Sequence, residues 1–286
     1  MARNAGRHGR QEWSRCKVKE RIRKGIPNDQ RERAWYHISG AAEWAMRYPN
    51  PHLAFAATSL SARVLDEIER DIDRTYPRHR IFSDPASGGD DSGSQSLRNV
   101  LRWYAELDPE VGYCQGMAFL AGLFVIYMDE VRAFHTFCAC MQNKKERPQL
   151  RTLYLPSMAE TQCALYVFGK LGKTHLGRTW THMLKQGMHP TMYATEWLMF
   201  CRGFSFDLVT RVMDVYLSEG YKIVYRVALA LIKNIDSELA DAEFEDIMGL
   251  VRNIPLLTDA TTGMFSSTLV CMYIHESVRR EMEYDT

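Results

Sequence analysis

An all-α fold is the expectation from this sequence, and three observations carry it. Apolar residues recur at helical spacing in separate stretches. Leu97, Val100, Leu101, Tyr104 and Leu107 fall at i, i+3, i+4, i+7 and i+10, and Val224, Val227, Ala228, Leu231 and Ile235 at i, i+3, i+4, i+7 and i+11. Residues 117–128 form an apolar run too short to span a bilayer, which reads as a buried helix. Nowhere do period-2 alternation and hairpin turns coincide convincingly. At 286 residues, 46% of them hydrophobic and 25% charged, the chain can bury a sizeable core, and two helical lobes packed together are expected.

Residues 1–24 hold nine Lys or Arg against Glu12 and Glu20, a net of +7, so the remainder carries −6 of the overall +1. This head reads as a mobile basic lead-in. Residues 1–19 are assigned to a flexible segment and 20–286 to the folded domain, with the lobes dividing near residue 155. Gly25 and Pro27 then lead into a helix that starts over residues 27–29. Arg31 and Trp35 stand in it at i, i+4, where a guanidinium can lie on or beside an indole. Residues 46–61, with Pro49 and Pro51, read as an irregular connection.

The stretch 65–77 supplies the first candidate site residue. Leu65, Ile68 and Ile72 form one apolar stripe on a helix stopped by Pro77, and Arg74 falls on roughly the opposite side, facing water or a partner. Asp71, three residues earlier, is placed to hold the guanidinium, although an ordinary surface ion pair reads the same way in sequence. Residues 83–96, rich in Gly, Ser and Asp, read as a mobile loop inserted between helices that share one core. After the helix at 97–107, ended by Asp108 and Pro109, comes EVGYCQGM. Here Gln115 stands directly before the buried helix, beside Gly112 and Gly116, which let a backbone or a phosphate come close. A helix-capping amide is the alternative. Further helices are expected over 194–201, 208–217, 224–235 and 269–281.

Several chemistries lack their residues. There is no GxxxxGK[ST] loop for nucleotide, no HExxH and no GxSxG, and the histidines lie apart. The seven cysteines include no CxxC, Cys138 and Cys140 fall on different helix faces, and no His or carboxylate cluster completes a metal site. Reduced core thiols in an intracellular protein are expected, and the N-terminus lacks the apolar stretch of a signal peptide.

Three stretches in order, GIP with Arg31 and Trp35 (Gly25, Ile26, Pro27), then Ile68, Asp71 and RTYP (74–77), then GYCQGM (112–117), resemble the signature motifs of the TBC domain. That is the family of GTPase-activating proteins for Rab-type small GTPases. With DVYLSEG at 214–220 the resemblance runs through nearly the whole chain from about residue 20. Gln30, Glu32, Ala118 and Met213 depart from the family's usual Leu, Gly, Asn and Trp, at positions of packing and partner contact. The resemblance implies two all-α lobes, Arg74 as an arginine finger held by Asp71, and Gln115 as a second finger that orients the attacking water. Arg31, Trp35, Tyr113 and Gly116 would support the fingers or contact the GTPase. It also implies no cofactor or metal of the chain's own, since GTP and Mg²⁺ are carried by the partner.

The partner implied is a Rab-type small GTPase, with no nucleic acid, membrane contact at most peripheral, and a place in the cytoplasm or on endomembranes. A scaffold or effector that binds a small GTPase without accelerating it would keep the same fold; the presence of both Arg74 and Gln115 favours the activator. RNA or lipid binding through the basic head is a third, weaker reading, since the head has no long amphipathic face and only Trp13 as an aromatic.

Overall fold

The computed structural model describes residues 15–57, 60–83, 91–143, 149–199 and 204–257, and among these every regular element is a helix. In chain order they are α1 Arg15–Lys24, α2 Asn28–Ser39, α3 Ala41–Arg47, α4 Pro51–Ala54, α5 Ala62–Ile72, α6 Ser92–Leu107, α7 Met117–Tyr127, α8 Glu130–Met141 and α9 Leu150–Leu153. There follow α10 Ala159–Lys185, α11 Ala194–Leu198, α12 Phe206–Glu219, α13 Lys222–Asn234, α14 Asp236–Leu239 and α15 Phe244–Leu257.

Two helices lie at the centre of the packing. The first is α7, apolar on every side because α2, α5, α6 and α8 surround it; Met117, Ala118, Leu123 and Phe124 on it are fully buried. The second is α13, against which α10, α11, α12 and α14 pack. One hydrophobic cluster runs from Ile22 to Ile254, and α1 and α2 reach across the chain to lie on α12. Caps fix several starts: Ser61 accepts from the Val64 amide at α5, Asp129 from the Arg132 amide at α8, and Ser205 from the Leu208 amide at α12.

The structure corrects several expectations. The helix of 65–77 ends at Ile72, so Arg74 sits in a turn beyond α5 rather than on it. The cause is Thr75. Its amide bonds the Ile72 carbonyl at 3.0 Å while its hydroxyl takes the Asp71 carbonyl at 2.6 Å, which a continuing helix would have used for the amide. Residues 46–61 are less irregular than expected, because Asn50 caps α4 and Pro51 occupies its first turn. Of the loop assigned to 83–96, residues 84–90 lie outside the described residues, but Ser92–Ser96 already belong to α6, with Gly93 and Ser94 buried. The helix expected over 194–201 is described only as α11, and that over 269–281 lies outside the described residues.

The basic head is also corrected over its described part, where residues 15–24 form α1. Arg23 donates from Nε at 2.5 Å and from Nη2 at 2.8 Å to Glu219 at the end of α12, whose side chain is 1% exposed. Burial pushes the Glu219 carboxyl up, but the Arg23 hydrogen bonds and the charges of Arg23, Lys222 and Lys19 outweigh it and hold the group below its ordinary value. A carboxyl lowered on folding stabilises the fold above its unfolded pKa and loses that contribution as pH falls through the folded value. The docking of α1 should therefore be intact at neutral pH and weaken in acid. Arg23→Ala should remove about 1–3 kcal/mol, since it takes both hydrogen bonds from a buried carboxylate and leaves it the more distant Arg226 at 3.9 Å. Hydrogen exchange over residues 15–24 checks this, and protection equal to the native chain's would show that the pair does not hold α1.

Candidate functional site

A carboxylate in the interior needs donors, and Asp71, 2% exposed on the last turn of α5, has four. Its Oδ1 accepts from Arg74 Nε at 2.7 Å and from Arg74 Nη2; its Oδ2 accepts from the Tyr113 hydroxyl and, at 3.0 Å, from the Gly116 amide. One oxygen thus serves the turn after α5 and the other serves the segment before α7. Gly116 has φ 100, a left-handed conformation open to glycine, and its amide turns to Asp71. Burial, with the bond to Asp71, pushes the Tyr113 phenol well above its usual range, so Tyr113 is a fixed donor.

Arg74 and Gln115 lie side by side above this carboxylate. With its amide oxygen turned to the guanidinium, Gln115 accepts from Arg74 Nη1 at 3.1 Å and from Nη2 at 2.5 Å. Both residues are exposed, and the Arg74 side chain is 43% accessible. Gln115 is not a cap: Gly116 occupies that position of α7, and no side chain bonds the free amides there. The arrangement presents a guanidinium and a carboxamide to whatever docks. From below it is held by a group that water barely reaches.

Arg31 and Trp35 are elsewhere. Both are buried, at 7% and 0% exposed, and converge on Asp214 of α12. Asp214 accepts from Arg31 Nε at 3.2 Å and Nη2 at 3.3 Å, from Trp35 Nε1 at 2.8 Å, from the Ile26 amide at 3.2 Å and from Arg211 Nη1 at 2.8 Å. The indole and the guanidinium meet through this carboxylate rather than by the direct stacking that their spacing allows. Aromatic rings connect the two carboxylates. Arg31 Nη1 donates to Tyr127 at 3.2 Å, Tyr127 stacks on Phe206 of α12 at 6.1 Å, and Phe206 meets Tyr76 edge-on at 5.5 Å, two residues beyond Arg74.

Sequence reasoning passed over Asp214, Arg211, Thr75 and Phe206 as site residues. Asp214 left one signal, a single acid inside the apolar run 212–217, which a buried carboxylate with distant cationic partners explains. Among the described residues no group of three His, Cys, Asp or Glu could hold a metal, Cys114, Cys138, Cys140 and Cys163 are free, and no helix is long and apolar enough to cross a membrane.

These features define a helical protein that exposes an arginine and a glutamine as a pair on one buried acid. A family model, the Rab-GTPase-TBC domain, matches residues 28–240, and the chain belongs to that family. The human ecotropic viral integration site 5 protein homolog is 36% identical over 233 residues, 81% of this chain and 27% of that protein. The Caenorhabditis elegans Rab GTPase-activating protein eat-17 is 30% identical over 234 residues, 81% of this chain and 25% of that protein. The chain therefore spans about a quarter of the length of these relatives. Among solved structures, the Chlamydomonas flagellar RabGAP TBC domain superposes with a TM-score of 0.71 at 25% identity, covering 91% of this chain and 84% of that one.

Asp71→Asn tests the clamp. A carboxamide has one accepting oxygen and one donating nitrogen, so in either orientation its NH₂ meets an obligate donor, the Arg74 guanidinium or the Gly116 amide. The variant should lose about 2–4 kcal/mol although it is isosteric, because a buried set of donors goes unpaired. Arg74→Ala leaves Asp71 two donors and opens Oδ1 to water through the space of a side chain that is 43% exposed, so it should lose about 1–2 kcal/mol. Urea denaturation of both variants checks the order, and an Asn variant as stable as the native chain would contradict it.

Proposed function

We propose that this chain is a GTPase-activating protein that accelerates GTP hydrolysis by a Rab-type small GTPase, supplying Arg74 and Gln115 in trans. The observation that carries the reading is the exposed Arg74–Gln115 pair held from beneath by buried Asp71. Family membership and the relative named a Rab GTPase-activating protein support it. In GTP hydrolysis, negative charge redistributes over the phosphoryl oxygens, and a small GTPase alone supplies too little positive charge and a poorly held water. GTP and Mg²⁺ are the partner's. Arg74 supplies the charge and Gln115 orients the water.

The resting pairing fits this division of labour. A guanidinium has five N–H donors; Asp71 holds the Nε side while Gln115 occupies the other edge. When Gln115 turns to a water, the Nη groups it covered become available to phosphoryl oxygens, and Asp71 keeps the plane aimed. Most of the interaction energy is gained as charge develops, which is what raises turnover rather than affinity. Tyr113 and Gly116 act by fixing Asp71. Arg31 and Trp35 act through the buried Asp214 and Tyr127 and offer a partner little surface. The chain would work from the cytoplasm, on endomembranes that carry its GTPase.

Single-turnover hydrolysis by a panel of GTP-loaded Rabs tests the proposal. On the Rab that responds best, Arg74→Ala should reduce stimulation by about 10³–10⁵-fold. Arg74→Lys should restore little, because an ammonium lacks the fork that bridges Asp71 and a phosphate oxygen. If Gln115 positions the water, a Rab whose own switch glutamine is changed to Leu should still be stimulated, and Gln115→Ala should abolish that stimulation. Strong stimulation by Gln115→Ala, beside none of the Leu variant by the native chain, would leave Arg74 as the sole contribution. No stimulation across a broad panel would turn the reading to a scaffold.

A further inference from the structure

We infer that Gly122 is a positioning residue: its bare Cα forms the seat for the turn that carries Arg74, and the contact sets the spacing between Arg74 and Gln115. The inference rests on the activator reading for its kinetic consequence, though not for its geometry.

A Cβ added at Gly122 would lie 2.8 Å from Thr75 Cγ2 and 3.4 Å from Tyr76 Cδ2 and Cε2. Atoms at 2.8 Å overlap, so one side must move. The α7 side is the less able to do so, since α2, α5, α6 and α8 pack around it and Ala121 and Leu123 beside Gly122 are fully buried. The turn must give instead. Thr75 is fully buried, with its hydroxyl tied to the Asp71 carbonyl. Tyr76 is held at φ 45, an uncommon conformation for a residue with a side chain, and its ring is pinned by Phe206 at 5.5 Å and Phe119 at 5.9 Å. Displacement of Thr75 and Tyr76 is thus transmitted to the residue just before them, Arg74.

One helix therefore references both exposed groups. Gln115 precedes the first residue of α7 by two positions, and the seat for the Arg74 turn lies in the second turn of the same helix. The packing of Thr75 on Gly122 acts as a spacer between guanidinium and carboxamide. Alanine is a better helix former than glycine, so the substitution does not weaken α7 locally and any loss comes from the displaced turn.

The test is a double-mutant cycle between Gly122→Ala and Thr75→Ser; the serine keeps the hydroxyl and removes the offending methyl. In the native background Gly122→Ala should lower the stimulated kcat on the best-responding Rab by about 30–100-fold, the scale of an ångström's misplacement, and change KM by less than about threefold. In the Thr75→Ser background the same substitution should cost less than about fivefold. A second readout needs no GTPase: the ¹⁵N signal of Arg74 Nε–H in the free chain, assigned with Arg74→Lys, should exchange faster in Gly122→Ala and return toward native in the double variant. Equal kinetic losses in both backgrounds, or an Nε–H signal indifferent to Gly122→Ala, would overturn the inference. If the native chain stimulates no Rab while the Nε–H signal behaves as described, the seat stands and the activator reading fails.

Discussion

A carboxylate withdrawn from water is unfavourable by several kcal/mol unless its oxygens are satisfied, and Asp71 is satisfied by groups from two distant segments. The rest of the exposed site follows from that constraint. Arg74 has to stay close because it carries the compensating charge, and Gly116 has to adopt a left-handed backbone because its amide must point inward. Gln115, one residue earlier, is thereby delivered against the guanidinium. Exposed side chains as long as these are ordinarily mobile. Arg74 is tied to Asp71, which cannot be left unpaired, and Gln115 is tied in turn to Arg74.

Asp214 does a comparable thing for the architecture. It draws Arg31, Trp35, Arg211 and the Ile26 amide to one buried point, so the start of the chain is fastened to α12 across 183 residues of sequence. Glu219, five residues along the same helix, receives Arg23. The sharing of one acid among several donors favours a unique arrangement over a merely compact one, because any slip of α2 on α12 would strand a cation or an indole N–H.

How much of this could be read in the sequence varies with the distance between partners. Helix class followed from apolar spacing, since the stripe of Leu97 to Leu107 needs no knowledge of what covers it. The Asp71–Arg74 pair was visible because three residues separate its members, but its burial was not; an exposed pair reads the same. Pro77 looked like the stop of α5, but the helix ends at Ile72, where the Thr75 amide turns to the Ile72 carbonyl and its side chain is buried, a tertiary placement that local spacing does not register. The approach of Gln115 to Arg74 had no local signature and came only through the family motif. The donors of Asp214 lie too far along the chain for spacing to pair them, and the contact of Gly122 with Thr75 is a matter of side-chain volume that periodicity does not register.

The placement of Asp214 makes the molecule indivisible. Asp71, Arg74, Tyr113, Gln115 and Gly116 all precede α8, and on a linear map they look like a self-contained unit. A fragment that stopped before α12 would keep every one of them. It would also keep a buried guanidinium and indole stripped of their acceptor, a Tyr127 and a Tyr76 without the ring of Phe206, and an α1 with nothing to lie on. The exposed pair and its clamp come from the first half of the chain, but the ring of Phe206 that packs on Tyr76 and the acceptor of Arg31 and Trp35 come from α12, so neither part can be lost or exchanged without the other.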